Sequence, residues 1–270
     1  MIIERAQIIT NRKLAKDIWK MKFDTPKIAK DVKGAGQFIE ILTTDHWQHP
    51  LRRPMSIASF GEGVVSIIYK LFGESTLRLS QKRPGDFLEL LGPLGNTFSE
   101  WNNDSYPILI GGGVGLAPIL NLKYACDHHN IEHTMIIGAK NAEEHFIRDE
   151  PNNQIFLTTD DGSIGEKGTV MGPLERIALS NTNVTIYACG PTAMLKVIKS
   201  FALDHNIQAQ LSVESYMGCG VGLCQGCAIH RKNSTINDRS YHEKYSLVCV
   251  DGPVYDAREI YFGWSKSHYR

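Results

Sequence analysis

Four cysteines near the C-terminus of this chain have a spacing that suits electron transfer. Cys219, Cys224 and Cys227 follow one another at C-x4-C-x2-C intervals, and Cys249 comes after a further 21 residues. Four thiolates with this spacing typically hold the two irons of a plant-type [2Fe–2S] centre. Glycines alternate with these cysteines, which lets a loop wrap tightly around an inorganic core and direct N–H groups at its sulfurs. The sequence therefore predicts a one-electron carrier with these four cysteines as its metal ligands.

Three other uses of the same cysteines are open at this point. A structural zinc usually takes two short Cys/His pairs, and the unequal steps between Cys219, Cys224 and Cys227 fit that pattern poorly. Disulfides require an oxidising compartment, of which the sequence gives no sign. Unliganded thiols are the third alternative. We interpret the two remaining cysteines, Cys126 and Cys189, as reduced thiols of a cytoplasmic protein.

Two turns are placed to hold a dinucleotide. The first separates an apolar strand from a helical stretch and contains Gly111, Gly112, Gly113 and Gly115. Close approach of the backbone and the positive end of a helix both favour a pyrophosphate there. The spacing does not match the G-x-G-x-x-G fingerprint, and no acidic residue closes the next strand, so a Rossmann dehydrogenase is disfavoured. A glycine turn that serves packing alone is the alternative.

The second turn follows a later buried strand, at the same edge of the predicted sheet, and consists of Cys189, Gly190 and Pro191. Open α/β sheets bind their ligands at this carboxyl edge. Proline at the start of a helix is also ordinary capping, so the turn is a weak signal by itself.

Residues in the first third of the chain could bind a phosphate and an aromatic ring. An arginine can donate to a phosphate through two nitrogens, and a serine hydroxyl can bond to a ring nitrogen. A tyrosine offers a ring face, a lysine a cation, and a helix start its free N–H groups. Solvated arginines and a tyrosine at the core edge are the alternatives. The candidate residues are Arg53, Pro54, Met55, Ser56, Ile68, Tyr69, Lys70, Ser75 and Thr76.

The elements that must position these residues form three regions, which together predict a multi-domain β plus α/β protein. Residues 1–101 contain short strands separated by turn glycines, a rhythm that predicts a small antiparallel β-barrel with one helical piece at residues 76–82. Residues 102–213 alternate strands with helices and predict an α/β domain with a parallel sheet. Residues 214–270 hold the cysteines and form a small third domain.

The composition excludes several partners. The chain has 270 residues, of which 42% are apolar, and a formal net charge of zero. Since no basic stripe is present, we expect no nucleic acid partner. The longest apolar stretch, residues 108–120, is interrupted by glycines and is too short to span a bilayer, so we expect no membrane association.

Taken together and in this order, the motifs resemble the ferredoxin reductase superfamily. More closely, the chain is similar to the electron-transfer subunits of NAD-linked (type B) dihydroorotate dehydrogenase. The resemblance covers residues 1–262, and it rests on the combination of the Arg53–Ser56 motif, the glycine turn, the Cys189–Pro191 turn and the plant-type cysteines.

The resemblance implies FAD on the barrel, NAD on the parallel sheet and a [2Fe–2S] cluster in the C-terminal domain. In matching positions, Arg53 is expected on the FAD pyrophosphate and Ser56 near the flavin ring, with Pro54 and Met55 between them. Ile68, Tyr69 and Lys70 are expected to line the same site, and Ser75 and Thr76 to hold phosphate. The nicotinamide is expected to reach the flavin from the side of the two turns. No catalytic acid or base is expected, because the cofactors carry the chemistry.

The resemblance also implies a partner. An FMN-containing catalytic subunit would oxidise dihydroorotate, and this chain would pass the electrons through the cluster and FAD to NAD⁺, in a cytoplasmic heterotetramer with two chains of each kind. An NAD(P)H-linked ferredoxin or hydrogenase reductase subunit shares every motif and is the alternative. A non-enzymatic iron–sulfur or zinc module without flavin is a third hypothesis.

Two features depart from the family pattern. Ser75 stands where the family usually has glycine, which could alter a turn that faces phosphate. The gap before Cys249 is longer than usual and contains a polar insertion over residues 231–242.

Overall fold

The computed structural model describes residues 1–44, 50–99, 101, 104–231 and 240–262. Its N-terminal region is the predicted closed antiparallel barrel, with the strand order β1-β2-β5-β4-β3-β6. Isoleucines and valines that alternate along these strands fill the interior. The strands are β1 (Ile2–Ala15), β2 (Ile18–Asp24), β3 (Phe38–Leu42), β4 (Arg53–Gly61), β5 (Val64–Lys70) and β6 (Phe87–Leu94).

Strand β1 has 14 residues, because it pairs with two neighbours. Its first half pairs with β6, from Ile2 to Gln7, and its second half pairs with β2, up to Ala15. A strand that closes a barrel in this way is half-exposed along its length, so its apolar pattern is weak.

Two helices belong to the barrel region. Helix α2 (Glu74–Gln81) matches the predicted helical piece. Helix α1 (Pro26–Asp31) was not predicted, since it has six residues and is held by a distant side chain. Glu4 on β1 accepts hydrogen bonds from Ile28 N at 3.0 Å and from Thr25 Oγ1 at 2.5 Å.

The second region is the predicted parallel α/β sheet. Its strands lie in the order β10-β9-β8-β7-β11-β12, and all of these pairs are parallel. Helix α3 packs on the face toward the barrel, and α4 and α5 pack on the other face. The elements are β7 (Tyr106–Gly112), α3 (Leu116–His128), β8 (Thr134–Ala139), β9 (Ile155–Thr159), β10 (Glu166–Lys167), α4 (Met171–Ser180), β11 (Val184–Cys189), α5 (Thr192–Asp204) and β12 (Gln208–Ser212).

The third region, which we call the cysteine segment (residues 214–231 and 240–262), has little regular structure. It contains β13 (Ala228–His230), α6 (Tyr241–Lys244), β14 (Tyr245–Leu247) and β15 (Val254–Asp256). Strand β15 pairs antiparallel with β12 and is the seventh strand of the large sheet. The division of the chain at residues 101 and 213 therefore stays a prediction, and the cysteine segment is built onto the α/β domain. Most of the predicted insertion, residues 232–239, lies outside the described residues.

In the part of the chain that the structure describes, no helix has both the length and the apolar character needed to cross a membrane.

Candidate functional site: a cysteine loop beside two nucleotide turns

The four predicted ligand cysteines lie as two pairs. The sulfurs of Cys227 and Cys249 are 3.3 Å apart without a disulfide, and both residues are buried. In the other pair, Cys224 N donates to Cys219 Sγ at 3.3 Å. Within the described ranges, no three His, Cys, Asp or Glu side chains converge on a point that would suit one metal ion. Two pairs of thiols are what two bridged irons require, since each iron takes two cysteines.

Residues 219–227, which we call the cysteine loop, direct main-chain N–H groups at the cysteine sulfurs. Gly220 and Gly222 have φ angles of 70° and 82°, a left-handed conformation that favours glycine. Because of this turn, Gly222 N donates to Cys249 Sγ at 3.2 Å and Val221 N donates to Cys219 Sγ at 3.4 Å. Hydrogen bonds to sulfur stabilise the thiolate form that ligates iron.

The pKa values of the thiols differ with these surroundings. Burial works to raise the pKa of Cys219, but N–H groups of Cys224 and Val221 outweigh it and lower the value to about 7. Burial and the neighbouring Cys227 raise the pKa of Cys249 to about 12. A buried thiol with a raised pKa becomes a thiolate when a cation replaces its proton, so the donor set fits a metal centre. Cys126 lies in α3, apart from these pairs, and burial raises its pKa to about 12.

The two turns predicted to hold a dinucleotide meet in the structure. Strands β7 and β11 are parallel neighbours in which Gly111 lies opposite Cys189. A Cβ atom on Gly115 would lie 2.4 Å from the carbonyl oxygen of Cys189, so the turns touch through their backbones. Gly113, by contrast, has a φ of 57° and open space where a Cβ would be. The tight contact at Gly115 positions the turns, and the open side at Gly113 leaves room for a ligand.

These turns face the barrel strands that carry the arginine–serine motif. The Asn121 side chain on α3 donates to the carbonyl oxygen of Ile57 at 3.1 Å, directly after the motif. Ile68 and Ala58 pack in one apolar cluster with Leu116 at the start of α3. Strands β4 and β5 therefore lie against the glycine turn, so the structure brings the predicted flavin and nicotinamide residues together.

Arg53 of the motif and its neighbour Arg52 differ in their hydrogen-bond and ion-pair partners. Among the described residues, Arg53 donates to the main-chain carbonyls of Leu51 at 3.1 Å and of Arg52 at 3.2 Å, and it is partly exposed. Arg52 forms an ion pair with Glu89 on β6. The guanidinium of Arg53 thus has no carboxylate among its described partners, which suits a residue that binds phosphate.

Tyr69 and Lys70 have partners of their own. The Tyr69 ring lies inside the barrel, 2% exposed, and its hydroxyl donates to Asn11 Oδ1 at 2.9 Å. Lys70 Nζ is 2.8 Å from Glu144 Oε1, in the loop after β8. The Tyr69 ring is therefore part of the barrel core, as the alternative interpretation of this tyrosine expects.

Ser75 and Thr76 lie in the first turn of α2 and are buried. Thr76 Oγ1 accepts from Phe72 N at 2.7 Å and donates to the carbonyl of Gly73 at 3.2 Å. Gly73 has a φ of 87° and no atom within reach of an added Cβ. The hydroxyl of Thr76 fixes this turn, and the open side of Gly73 leaves the helix start accessible.

Two acidic residues belong to the site that sequence reasoning missed. Glu214 follows β12 at the carboxyl edge. Burial raises the pKa of Cys189 to about 12, the Glu214 carboxyl adds to this rise, and a hydrogen bond with Ser212 opposes it. Glu40 lies on β3, beside Gly220 of the cysteine loop. In the sequence, Glu214 could have been found from its place after a parallel strand. Glu40 could have been found because it is a carboxyl residue within the apolar run 38–42.

Comparisons with known proteins agree with this arrangement. Residues 214–261 match the family described as the iron–sulfur cluster binding domain of dihydroorotate dehydrogenase B. Residues 109–200 match the oxidoreductase NAD-binding domain. The two matches coincide with the cysteine segment and with most of the parallel sheet.

Full-length relatives and a solved structure extend the likeness to the barrel. The chain is 32% identical over 268 residues to a dihydroorotate dehydrogenase B (NAD(+)) electron transfer subunit of Fusobacterium nucleatum, covering 96% of this chain and 99% of the relative. A subunit of the same description from Bacillus pumilus is 34% identical over 260 residues, covering 94% and 96%. A chain of the NADH-dependent reduced ferredoxin–NADP oxidoreductase, solved in work on flavin-based electron bifurcation, is 27% identical with a TM-score of 0.81 over 95% of this chain and 90% of that one.

Proposed function

The chain belongs to the electron transfer subunits of NAD-dependent dihydroorotate dehydrogenase B, and from this premise we propose which of its residues hold each cofactor. It is an oxidoreductase subunit of pyrimidine biosynthesis, with an iron–sulfur cluster binding domain and an NAD-binding domain. An electron transfer subunit works with a catalytic dihydroorotate dehydrogenase subunit. The confirmed family prediction rests on motifs from all three regions of the chain.

In this proposal a [2Fe–2S] cluster is held by Cys219, Cys224, Cys227 and Cys249. The observation that carries it is the pairing of the four sulfurs around a loop whose N–H groups donate to them. The loop shields the buried pair from water and leaves Cys224 exposed. When bound, the cluster supplies one-electron transfer and FAD supplies the exchange between single electrons and the electron pair that NAD⁺ takes up.

The residues proposed for FAD lie on β4, on β5 and at the start of α2. Arg53 binds the pyrophosphate with a guanidinium that forms no ion pair with a described carboxylate. Ser56 pairs with Phe38 of β3 and directly precedes Ile57, which accepts a hydrogen bond from Asn121 of α3. Pro54 and Met55 fix the strand between Arg53 and Ser56. Ile68, Tyr69 and Lys70 contribute through β5, Tyr69 by its main chain because its ring is in the core. Ser75 and Thr76 present the start of α2 to phosphate.

The residues proposed for NAD are those of the two turns that meet at the sheet edge. Gly113 offers open space to the pyrophosphate, while Gly111, Gly112 and Gly115 pack closely and hold the backbone in place. Cys189, Gly190 and Pro191 line the opposite side. The contact of α3 with β4 orients this edge toward the flavin-binding strands.

The proposed partner is an FMN-containing catalytic subunit, in a cytoplasmic heterotetramer with two chains of each kind. It would dock over the cysteine loop, where two apolar side chains are exposed: Leu223 is 82% exposed and Val250 is 52% exposed. A Cβ on Gly222 would lie 2.9 Å from Val250, so these side chains belong to one surface next to the cysteines. Exposed apolar side chains of this kind are typical of docking surfaces.

The test is the replacement Cys224→Ala in the complex co-purified with its catalytic subunit. We expect loss of dihydroorotate-dependent NAD⁺ reduction, with FAD content unchanged. Cys126→Ala, which removes a thiol in α3, is the matched control and should keep coupled turnover. Unchanged coupled turnover in Cys224→Ala would reject the proposed relay.

A ferredoxin-linked reductase is the second candidate, and the likeness to the NADH-dependent ferredoxin–NADP oxidoreductase chain favours considering it. The two functions require different partners. Co-purification with tagged chain, followed by identification of the bound subunit, separates them: a dihydroorotate-oxidising flavoprotein supports the first function, and a ferredoxin-reducing subunit supports the second.

A further inference from the structure

A buried carboxyl group lies between the flavin-binding strands and the cysteine loop. Glu40 is on the outward face of β3, opposite Pro54 of β4 and Leu91 of β6, and it is 0% exposed. The cysteine loop covers it from above, since a Cβ on Gly220 would lie 2.8 Å from Glu40 Cγ and 2.9 Å from Oε1. Only a glycine in the left-handed conformation leaves room for this carboxyl group.

The carboxyl group is not used to hold the fold together. Neither of its oxygens has a hydrogen-bond partner in the part of the chain that the structure describes. Burying an unpartnered acid costs free energy, and an apolar residue would fill the same space without that cost. A costly group at the junction of two cofactor sites indicates a functional role.

Glu40 has positively charged neighbours toward the flavin-binding strands and a thiol neighbour in the cysteine loop. Arg53 at the start of β4 and Arg52 just before it are cations on the flavin side, and the Cys219 thiol acts on Glu40 from the cluster side. Burial raises the pKa of Glu40 to about 7; Arg52 and Arg53 act to lower it and Cys219 to raise it. The same electrostatic interaction works in both directions, so a charge on Glu40 acts on whatever Cys219 ligates.

We propose that the Glu40 carboxylate sets the reduction potential of the cluster by placing a negative charge directly beneath the cysteine loop. A negative charge near an iron–sulfur centre disfavours the added electron and lowers its potential, and exclusion of water strengthens the effect. This inference rests on the proposed cluster.

The experiment compares Glu40→Gln with the wild-type chain, each as the complex with its catalytic subunit and its native cofactors. The midpoint potential of the cluster is measured at pH 8.5, well above the pKa of an ordinary carboxyl group. We expect the equilibrium constant for one-electron reduction to rise about tenfold, which is a positive shift of about 59 mV. Glu40→Asp keeps the charge and should stay near the wild-type value.

Glu62→Gln is the matched control, because it removes the same charge from the exposed turn between β4 and β5. It should leave the potential unchanged. The melting temperature provides a second readout: loss of an unpartnered buried charge should raise it in Glu40→Gln. A purely structural role predicts a lower melting temperature and loss of iron.

The outcomes separate this inference from the proposed function. A wild-type complex without a cluster signal contradicts the proposed function, and this inference with it. A loaded Glu40→Gln cluster with the wild-type potential, or a Glu40→Gln chain that melts earlier and loses iron, contradicts only the role of Glu40. A potential raised in Glu40→Gln but kept in Glu40→Asp and Glu62→Gln supports it.

Discussion

The parallel sheet and the cysteine segment are held together in different ways. Strands β7, β8 and β11 are nearly all buried, and apolar helices cover both faces of the sheet. The cysteine segment has three strands of three residues and a helix of four. Its buried residues Leu247, Val248 and Tyr255 belong to the core cluster of the sheet. The segment therefore has no separate core in the described residues.

This difference shows which interactions each region depends on. The sheet is stabilised by apolar burial spread over many side chains, and this burial needs no bound ligand. The cysteine segment has a few polar bridges to the rest of the chain, and in the proposed function it also depends on the metal bound by its cysteines. Metal binding contributes folding free energy where a small core does not suffice.

Removal of iron should have the largest effect, and it should destabilise the cysteine segment without destabilising the barrel. Chelation under reducing conditions should abolish hydrogen-exchange protection in residues 214–231, because the thiols lose their common ligand. The barrel strands should keep their protection, since their core holds no metal. Hydrogen exchange measured by mass spectrometry checks both regions at once. Retained protection in the cysteine loop after complete loss of iron would mean that packing alone holds it.

A change inside the sheet should act through packing. Gly115→Ala places a Cβ 2.4 Å from the Cys189 carbonyl oxygen, and backbone cannot move aside easily. We expect a loss of about 3 kcal/mol in the free energy of unfolding. Gly113→Ala is the matched variant, because it meets no atom but must adopt a φ of 57°, at a cost of about 1 kcal/mol. Denaturant titration measures both values, and equal losses would argue against the backbone clash.

A polar bridge to the cysteine segment should have a smaller and more local effect. The side chain of Asn96, after β6, donates to the carbonyls of Asp251 at 2.9 Å and Val254 at 2.8 Å, and accepts from Val254 N at 2.9 Å. Asn96→Ala should cost about 2 kcal/mol. Exchange should rise in residues 245–256 and not in the sheet strands β7 to β9.

Asn153→Ala is its control, because that exposed side chain makes one bond, to Glu150. It should leave exchange in residues 245–256 unchanged. An Asn96→Ala chain whose barrel loosens as much as its cysteine segment would show that the bridge stabilises both regions equally.

The smallest effect is a pH dependence from His145, in the loop between β8 and β9, which contacts the edge of the sheet. Burial lowers the pKa of His145, and its ring lies 3.2 Å from the carbonyl oxygen of Thr158. The unfolded chain then binds a proton near pH 6.5 while the folded chain does not, so stability falls as the pH drops below 6.5. Above pH 6.5, His145 does not contribute to the dependence of stability on pH. His145→Gln should flatten the decline in thermal unfolding midpoints below pH 6.5, and an unchanged slope would assign it to other groups.

Much of the fold could be predicted because its signals are local. The strands of the barrel and of the sheet have apolar runs bounded by glycines, and the structure contains both the predicted barrel and the predicted parallel sheet. Helix α1 and strand β15 were missed. Each is short and depends on a distant partner, Glu4 for the helix and β12 for the strand. Short elements lack enough residues to show a period.

The sequence by itself determined the family and predicted the two nucleotide turns and the four cysteine ligands, because ligand spacing and turn glycines are properties of short stretches of chain. Only the tertiary structure decided that Glu40 lies beneath Gly220 and that Glu214 lies near Cys189. It also decided that Tyr69 points into the barrel and that the cysteine segment completes the large sheet. These contacts join residues far apart along the chain, and their positions follow from how the strands pack.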